Sequence, residues 1–137
     1  MQTATVKWMG AEKFLATMPS GHEVAFDTDR KENSAPGPME MLLGALGTCS
    51  SVDVVSILAK KRQKLASLEI VISGERASEP PTVWTKIDMA YKLTGELNEE
   101  AVRRAIELSQ TKYCSVETML GKTATISYRF EISPATI

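Results

Sequence analysis

The sequence contains 137 residues, of which 43% are hydrophobic and 24% charged, with a formal net charge of −1. This length and composition fit one globular domain with a hydrophobic core, which we place over residues 1–137. The near-zero charge excludes a global electrostatic field that would attract nucleic acid or an anionic membrane, so we expect neither as a partner.

The N-terminal segment contains no apolar stretch of signal-peptide length. The longest uncharged run, Met41 to Val52, is shorter than the roughly 18 residues that span a bilayer. We therefore expect a soluble, cytoplasmic protein.

Three short segments with alternating apolar and polar residues open the chain: Thr3 to Met9, Lys13 to Met18 and His22 to Phe26. Alternation with a period of two residues is typical of half-buried strands. Glycine and proline turn signals separate the segments, so the pattern predicts an antiparallel meander of three strands.

A polar loop, residues 27–37, leads into a long apolar segment, Pro38 to Lys61, with Cys49 near its middle. Proline is tolerated in a first helical turn, and a helix that is apolar on nearly every side is a buried one. Gly44 and Gly47 share one face, where we expect them to let another helix approach closely. One six-stranded sheet and a second helix would leave part of this helix uncovered. We therefore predict an obligate homodimer, in which a second copy of the chain covers the rest.

Two long alternating strands follow, Ser67 to Ala77 and Thr82 to Thr94. Asn98 is suited to cap a second helix, which places Cys114 at its C-terminal end. A last strand is predicted over Thr123 to Ile132. The order β-β-β-α-β-β-α-β predicts an α+β fold with an antiparallel sheet.

The two cysteines, Cys49 and Cys114, are the candidate reactive groups. A cytosolic chain with two cysteines argues against a structural disulfide framework, and one histidine without a CxxC motif argues against a zinc site. A single buried thiol can simply pack as a small hydrophobe. However, both cysteines lie on or at the end of helices over the same sheet, where two thiols can converge for thiol–disulfide chemistry. Inert thiols and a redox pair both remain open on these residues alone.

A reactive thiolate requires positive charge or hydrogen-bond donors nearby. Asp53, one helical turn after Cys49, would oppose ionisation if it pointed the same way. Arg30 is the only arginine in the polar loop and is the natural candidate to activate Cys49.

The segments APGPMEMLLGALGTCSSVDVVSIL and LSQTKYCSVETMLGKTATISY, together with the order of elements, resemble the OsmC/Ohr family. The separation of the cysteines, 114 − 49 = 65 residues, also fits. The PMEM and KYCSV segments look most similar to the branch that includes the YhfA-like proteins. The resemblance covers essentially the whole chain and implies antiparallel sheets around two central helices in an intertwined homodimer.

The resemblance also implies a function, because well-studied members of the family are thiol-dependent peroxidases that reduce organic hydroperoxides in oxidative stress defence. Cys49 would then become a sulfenic acid, and Cys114 would convert it to a disulfide. An external dithiol, of the lipoyl type in one branch, would reduce that disulfide, with no metal or organic cofactor. The second hypothesis is a non-catalytic redox-sensing or small-molecule-binding protein that keeps the same fold and thiols.

The family holds its first cysteine as a thiolate with an Arg–Glu pair, which this chain matches incompletely. The family glutamate lies ten residues before that cysteine, where this chain has Met39. Glu40 follows one residue later and is rotated by about 100° around the helix. Arg30 is the candidate arginine by position, and Ser115 replaces a frequent proline after the second cysteine. We assign Arg30 and Glu40 as candidate activating residues.

Overall fold

The computed structural model describes residues 1–135. The chain forms two compact units, Met1–Leu42 and Leu43–Ile137. Each unit contains its own three-stranded sheet. The one-domain assignment over residues 1–137 stays a prediction, and residues 136 and 137 lie outside the described part.

The first unit is built on an antiparallel meander of three strands: β1 (Thr5–Trp8), β2 (Lys13–Thr17) and β3 (Glu23–Asp27). The meander predicted from the alternating pattern is therefore confirmed. The loop after β3 is held by the buried carboxylate of Asp27, which accepts hydrogen bonds from Ser34 Oγ at 2.6 Å and from the N–H of Asp29 at 2.8 Å. These two hydrogen bonds, first that of Ser34, lower the pKa of Asp27.

The second unit begins within α1 (Pro38–Lys60), after Leu42. It also contains β4 (Lys64–Arg76), β5 (Trp84–Glu96), α2 (Glu99–Leu108), a π-helical turn (Ser109–Tyr113), α3 (Ser115–Leu120) and β6 (Thr125–Ser133). Asn98 caps α2 as predicted, because its side chain accepts a hydrogen bond from the N–H of Ala101 at 2.9 Å. The α+β class is confirmed.

The strand arrangement differs from the sequence prediction in two respects. The six strands form two sheets of three, in the orders β1-β2-β3 and β4-β5-β6, rather than one six-stranded sheet. In addition, β6 runs parallel to β5, although β4 and β5 are antiparallel as expected. A parallel neighbour requires a long crossover, and α2, the π turn and α3 supply it. Alternation identifies a strand but not its direction, so the sequence pattern could not reveal this pairing.

Helix α1 buries a narrow stripe within the chain, formed by residues at a spacing of four: Leu46, Ser50, Val54 and Leu58. Val52 and Val55 stay exposed. Among the described residues, α1 is the one helix long and apolar enough to cross a membrane by length and composition, a test that core helices of soluble proteins also pass. The homodimer, in which a second copy would cover the exposed face, stays a prediction.

Gly47 lies against strand β4. A Cβ atom added at Gly47 would sit 2.6 Å from Cδ1 of Ile72, whereas one added at Gly44 would meet nothing within 4 Å. The expectation that both glycines admit another helix is therefore wrong for Gly47, whose close neighbour in the chain is a strand side chain.

We predict that Gly47→Ala is less stable than the matched variant Gly44→Ala by about 1 kcal/mol, because only the first forces the half-buried side chain of Ile72 to move. Both variants gain the same helix propensity, which cancels in the comparison. Thermal unfolding of the two proteins measures the difference. Adding Ile72→Val should reduce it, and equal melting temperatures would contradict the packing described for Gly47.

Candidate thiol redox site

The two cysteines converge in the second unit. Cys49 lies in the middle of α1 and is half-buried, whereas Cys114 lies at the N-cap of α3 with only 2% of its surface exposed. Both are free thiols, and they lie close enough that Cys49 is one of the causes that raise the pKa of Cys114. The structure thus brings together the pair that the sequence singled out, while their catalytic roles stay predictions.

Burial raises the pKa of Cys114 to about 12. The N–H of Glu117 opposes this rise at the sulfur, although it does not close a full capping hydrogen bond, and the neighbouring Cys49 adds to it. Cys114 is therefore a protonated thiol at neutral pH. Cys49 is the more exposed thiol and the one that a dissolved molecule can reach first.

The π turn determines which hydrogen-bond partners are available to Cys114 and Glu117. The N–H of Cys114 donates to the carbonyl of Ser109 at 2.9 Å. In a capping box, the acidic residue three positions after the cap would accept this N–H. Because Ser109 already accepts it, the carboxyl group of Glu117 is available for another partner.

A continuous hydroxyl chain connects α1, β5 and the π turn. Ser50 Oγ lies 2.6 Å from Tyr91 Oη and 2.8 Å from Ser109 Oγ, and all three residues are buried. At one end, Ser109 Oγ donates to the carboxylate of Asp53 at 2.9 Å. At the other end, Tyr91 Oη lies 2.6 Å from the side-chain amide of Gln110. Burial raises the pKa of Tyr91 to about 12, so its hydroxyl keeps its proton.

The amide of Gln110 also contacts the carboxyl group of Glu117, with 2.8 Å to Glu117 Oε2. Two arrangements satisfy this contact. If Glu117 is ionised, the amide nitrogen donates to the carboxylate and the amide oxygen accepts from Tyr91. If Glu117 is protonated, its O–H can donate to the amide oxygen, while the amide nitrogen donates to Tyr91 and to Met89 Sδ at 3.3 Å.

Glu117 can adopt both protonation states near neutral pH. Burial raises the pKa of its carboxyl group to about 7. Because Ser109 donates to Asp53, it accepts from Ser50, and Ser50 in turn accepts from Tyr91. Tyr91 then accepts from the amide nitrogen of Gln110, which is the arrangement with a protonated Glu117. When Glu117 is ionised, Tyr91 donates to the amide oxygen of Gln110 and Ser50 donates to Tyr91, while Ser109 keeps its hydrogen bond to Asp53.

The two ends of the hydroxyl chain lead to two surface grooves. Asp53 lines a groove of about 440 Å³ together with apolar and basic side chains: Val52, Ile57, Lys60, Leu108 and Tyr113. Gln110 and Glu117 line another of about 290 Å³, which Lys122 borders. Glu117 is therefore in a position to exchange protons with solvent.

In the first unit, Arg30 and Glu40 form an ion pair with 3.9 Å between Nη1 and Oε2. The guanidinium group also donates to Asn33 Oδ1 at 3.1 Å, to the carbonyl of Ala35 at 3.0 Å and to the carbonyl of Asp27. These hydrogen bonds stabilise the loop after β3. An exposed pair of this kind contributes little to stability. The structure pairs the two candidate activating residues, and their action on Cys49 stays a prediction.

Sequence reasoning did not assign Tyr91, Gln110 or Glu117 to the site. Available signals were Ser50 and Ser109, which occupy positions on the buried faces of their helices where apolar residues would otherwise pack. Buried hydroxyl groups require partners. That rule predicts a polar cluster, although it does not name the strand residue and amide that complete it.

Residues 31–129 match the family model described as OsmC-like protein. The chain belongs to the OsmC-like family. Protein YhfA of Escherichia coli is 43% identical over 133 residues, which cover 96% of this chain and 98% of YhfA.

Solved structures agree with this assignment. A hypothetical protein from Aquifex aeolicus has 29% identity and a TM-score of 0.89, with 99% of this chain and 98% of that chain covered. The organic hydroperoxide resistance protein OhrB of Bacillus subtilis shares the fold, with a TM-score of 0.67 at 9% identity over 96% of this chain and 98% of OhrB. The OsmC/Ohr resemblance is confirmed.

We predict a direct energetic coupling between Ser50 and Tyr91. Ser50→Ala and Tyr91→Phe should each lower the free energy of unfolding by about 1 kcal/mol, because each removes buried hydrogen bonds. The double variant should cost less than the sum of the single variants, by at least about 0.5 kcal/mol. Urea unfolding of the four proteins gives this difference, and strictly additive losses would contradict the hydrogen bond.

Proposed function

We propose that this OsmC-like protein is a thiol-dependent peroxidase that reduces organic hydroperoxides in oxidative stress defence. The observation that carries the proposal is the pairing of a half-exposed thiol, Cys49, with a buried thiol, Cys114, in one chain. Such a peroxidase needs one thiol that meets the substrate and a second that is protected until the first is oxidised. The structural neighbour OhrB is an organic hydroperoxide resistance protein, which supports the substrate class by analogy.

In the proposed cycle, the Cys49 thiolate attacks the terminal peroxide oxygen. A sulfur–oxygen bond forms, the oxygen–oxygen bond breaks, and the leaving alkoxide takes a proton to become an alcohol. The Cys114 sulfur then attacks the Cys49 sulfur, so that a disulfide forms and the sulfenic oxygen leaves as water. A dithiol, which we expect to be of the lipoyl type, reduces the disulfide and returns both thiols. The cycle uses no metal or organic cofactor.

The remaining assignments follow from the family resemblance. Arg30 and Glu40 would help to hold Cys49 as a thiolate in the active assembly. That assembly would be a homodimer in the reducing cytoplasm, where free thiols persist.

A second candidate function is a redox sensor with the same fold. The raised pKa of Cys114, about 12, favours this alternative because a protonated thiol attacks slowly, so a Cys49 sulfenic acid would persist. A sensor would undergo one rapid oxidation without turnover. The two candidates therefore differ in whether a dithiol supports repeated cycles.

We predict that the protein consumes cumene hydroperoxide in the presence of a dithiol such as dihydrolipoate. Cys49→Ser should reduce the rate at least 100-fold to the uncatalysed level, because it removes the nucleophile. Cys114→Ser should keep the first oxidation but lose turnover. The measurement is peroxide consumption, with circular dichroism as the control for folding.

The peroxidase proposal fails if the parent protein consumes peroxide no faster than Cys49→Ser. A single stoichiometric oxidation of the parent, without turnover, would instead favour the sensor.

We also predict that the protein is a dimer of about 30 kDa, twice the chain mass of 15.0 kDa. The exposed apolar residues of α1, Val52 and Val55, are the basis for this expectation, because a stable second copy would cover them. Light scattering during size-exclusion chromatography measures the mass. A stable monomer at low micromolar concentration would contradict the prediction, whereas Val55→Glu should shift a true dimer towards monomer.

A further inference from the structure

The second step of a two-thiol cycle requires Cys114 to lose its proton, although its site disfavours the thiolate. Cys114 is 2% exposed, and burial raises its pKa to about 12. Attack on an oxidised Cys49 proceeds through the thiolate. A nearby base would therefore accelerate this step, provided that the base can be ionised at neutral pH and lies within reach of the thiol.

We propose that Glu117 is the base that accepts the Cys114 proton when Cys114 attacks oxidised Cys49. The inference rests on the thiol pair of the proposed function and adds a further catalytic residue to it. Glu117 lies one turn into α3 from Cys114, and its backbone N–H acts directly on the Cys114 sulfur. The charge of its half-buried carboxylate is among the causes that raise the pKa of Cys114, as expected of an anion close to the thiol.

Gln110 makes Glu117 suited to exchange a proton. A base must be stabilised before and after it takes up the proton, and the amide of Gln110 offers the carboxyl group a donor in one orientation and an acceptor in the other. Tyr91 adapts to either orientation because its hydroxyl can accept from the amide nitrogen or donate to the amide oxygen. With a pKa of about 7, Glu117 is present in both its ionised and its protonated form near neutral pH, as an efficient general base requires.

The surroundings of Glu117 are consistent with this role. The titratable and charged groups near it come from three segments: Cys114 at the start of α3, Tyr91 in β5 and Lys122 after α3. Burial, rather than a neighbouring charge, is the cause that raises the pKa of Glu117. The groove of about 290 Å³ that Glu117 lines gives the proton a path to solvent.

The step balances without an additional reagent. The Glu117 carboxylate takes the proton of Cys114, and the Cys114 sulfur forms a bond to the Cys49 sulfur as the Cys49 leaving group departs. In the peroxidase cycle that group is hydroxide, which takes the proton from Glu117 and leaves as water. With an aromatic disulfide at Cys49, the leaving group is an aromatic thiolate, and the proton passes from Glu117 to solvent.

The chromogenic disulfide DTNB tests this step without peroxide. The reagent should modify the more exposed Cys49 and release one coloured thiolate, after which Cys114 should attack the mixed disulfide and release a second. Cys114→Ser identifies the second phase by its loss. In Glu117→Gln, we expect an unchanged first phase and a second phase that is at least 10-fold slower at about pH 7.

Two further variants separate catalysis from structure. Glu100→Gln replaces an exposed glutamate of α2 and should leave both phases unchanged. Glu117→Asp should restore part of the second-phase rate. In the parent, the second phase should rise with pH and level off above about pH 7, whereas in Glu117→Gln it should keep rising with hydroxide.

An equally fast second phase in folded Glu117→Gln, or the same pH profile in both proteins, would overturn the proposal. So would the absence of a first phase in the parent, because the proposal requires an accessible Cys49. A second DTNB phase that slows in Glu117→Gln, in a protein that does not consume hydroperoxide, would support the role of Glu117 and reject the peroxidase function. The two proposals can therefore fail separately.

Discussion

The hydroxyl of Ser50 is the buried contact on which the geometry of the second unit depends. It joins α1 to Tyr91 of β5 at 2.6 Å and to Ser109 of the π turn at 2.8 Å. Buried hydroxyl groups must find partners, so this contact fixes the rotation of α1 and the position of the π turn together. Cys49 precedes Ser50, and the rotation that turns Ser50 inward leaves Cys49 half-buried. The π turn ends at Cys114, so both thiols are positioned by the same hydrogen bonds.

Unequal burial then gives the two thiols different chemistry. Cys114 is enclosed and keeps its proton, whereas Cys49 is open enough to meet a small molecule. This asymmetry supports the order of events in the proposed cycle, in which Cys49 reacts first. It also creates a requirement for a proton acceptor beside Cys114. The N–H of Cys114 donates to Ser109, so the carboxyl group of Glu117 does not have to accept it. This carboxyl group is therefore available as the proton acceptor for Cys114.

The sequence predicted the elements better than their arrangement. Alternating and helical patterns identified the six strands, α1 and the Asn98 cap, because these depend on local periodicity and local hydrogen bonds. The parallel pairing of β6 with β5 depends on a crossover, which local patterns do not encode. Cys49 and Cys114 were found because cysteine is rare in the chain. Gln110 and Glu117 were missed because the sequence pattern predicts that a polar residue on a helix or turn is exposed to solvent. Only the three-dimensional contacts show that these two residues join a buried cluster.

The central claim is that Cys49 and Cys114 of one chain form a redox pair, and the products of a single oxidation test it most directly. The reduced protein should be treated with one equivalent of cumene hydroperoxide, alkylated and analysed by intact mass and non-reducing peptide mapping. We expect the loss of both free thiols and a disulfide between Cys49 and Cys114 within one chain. A sulfenic or sulfinic acid at Cys49 beside a free Cys114, or two unreacted thiols, would contradict it.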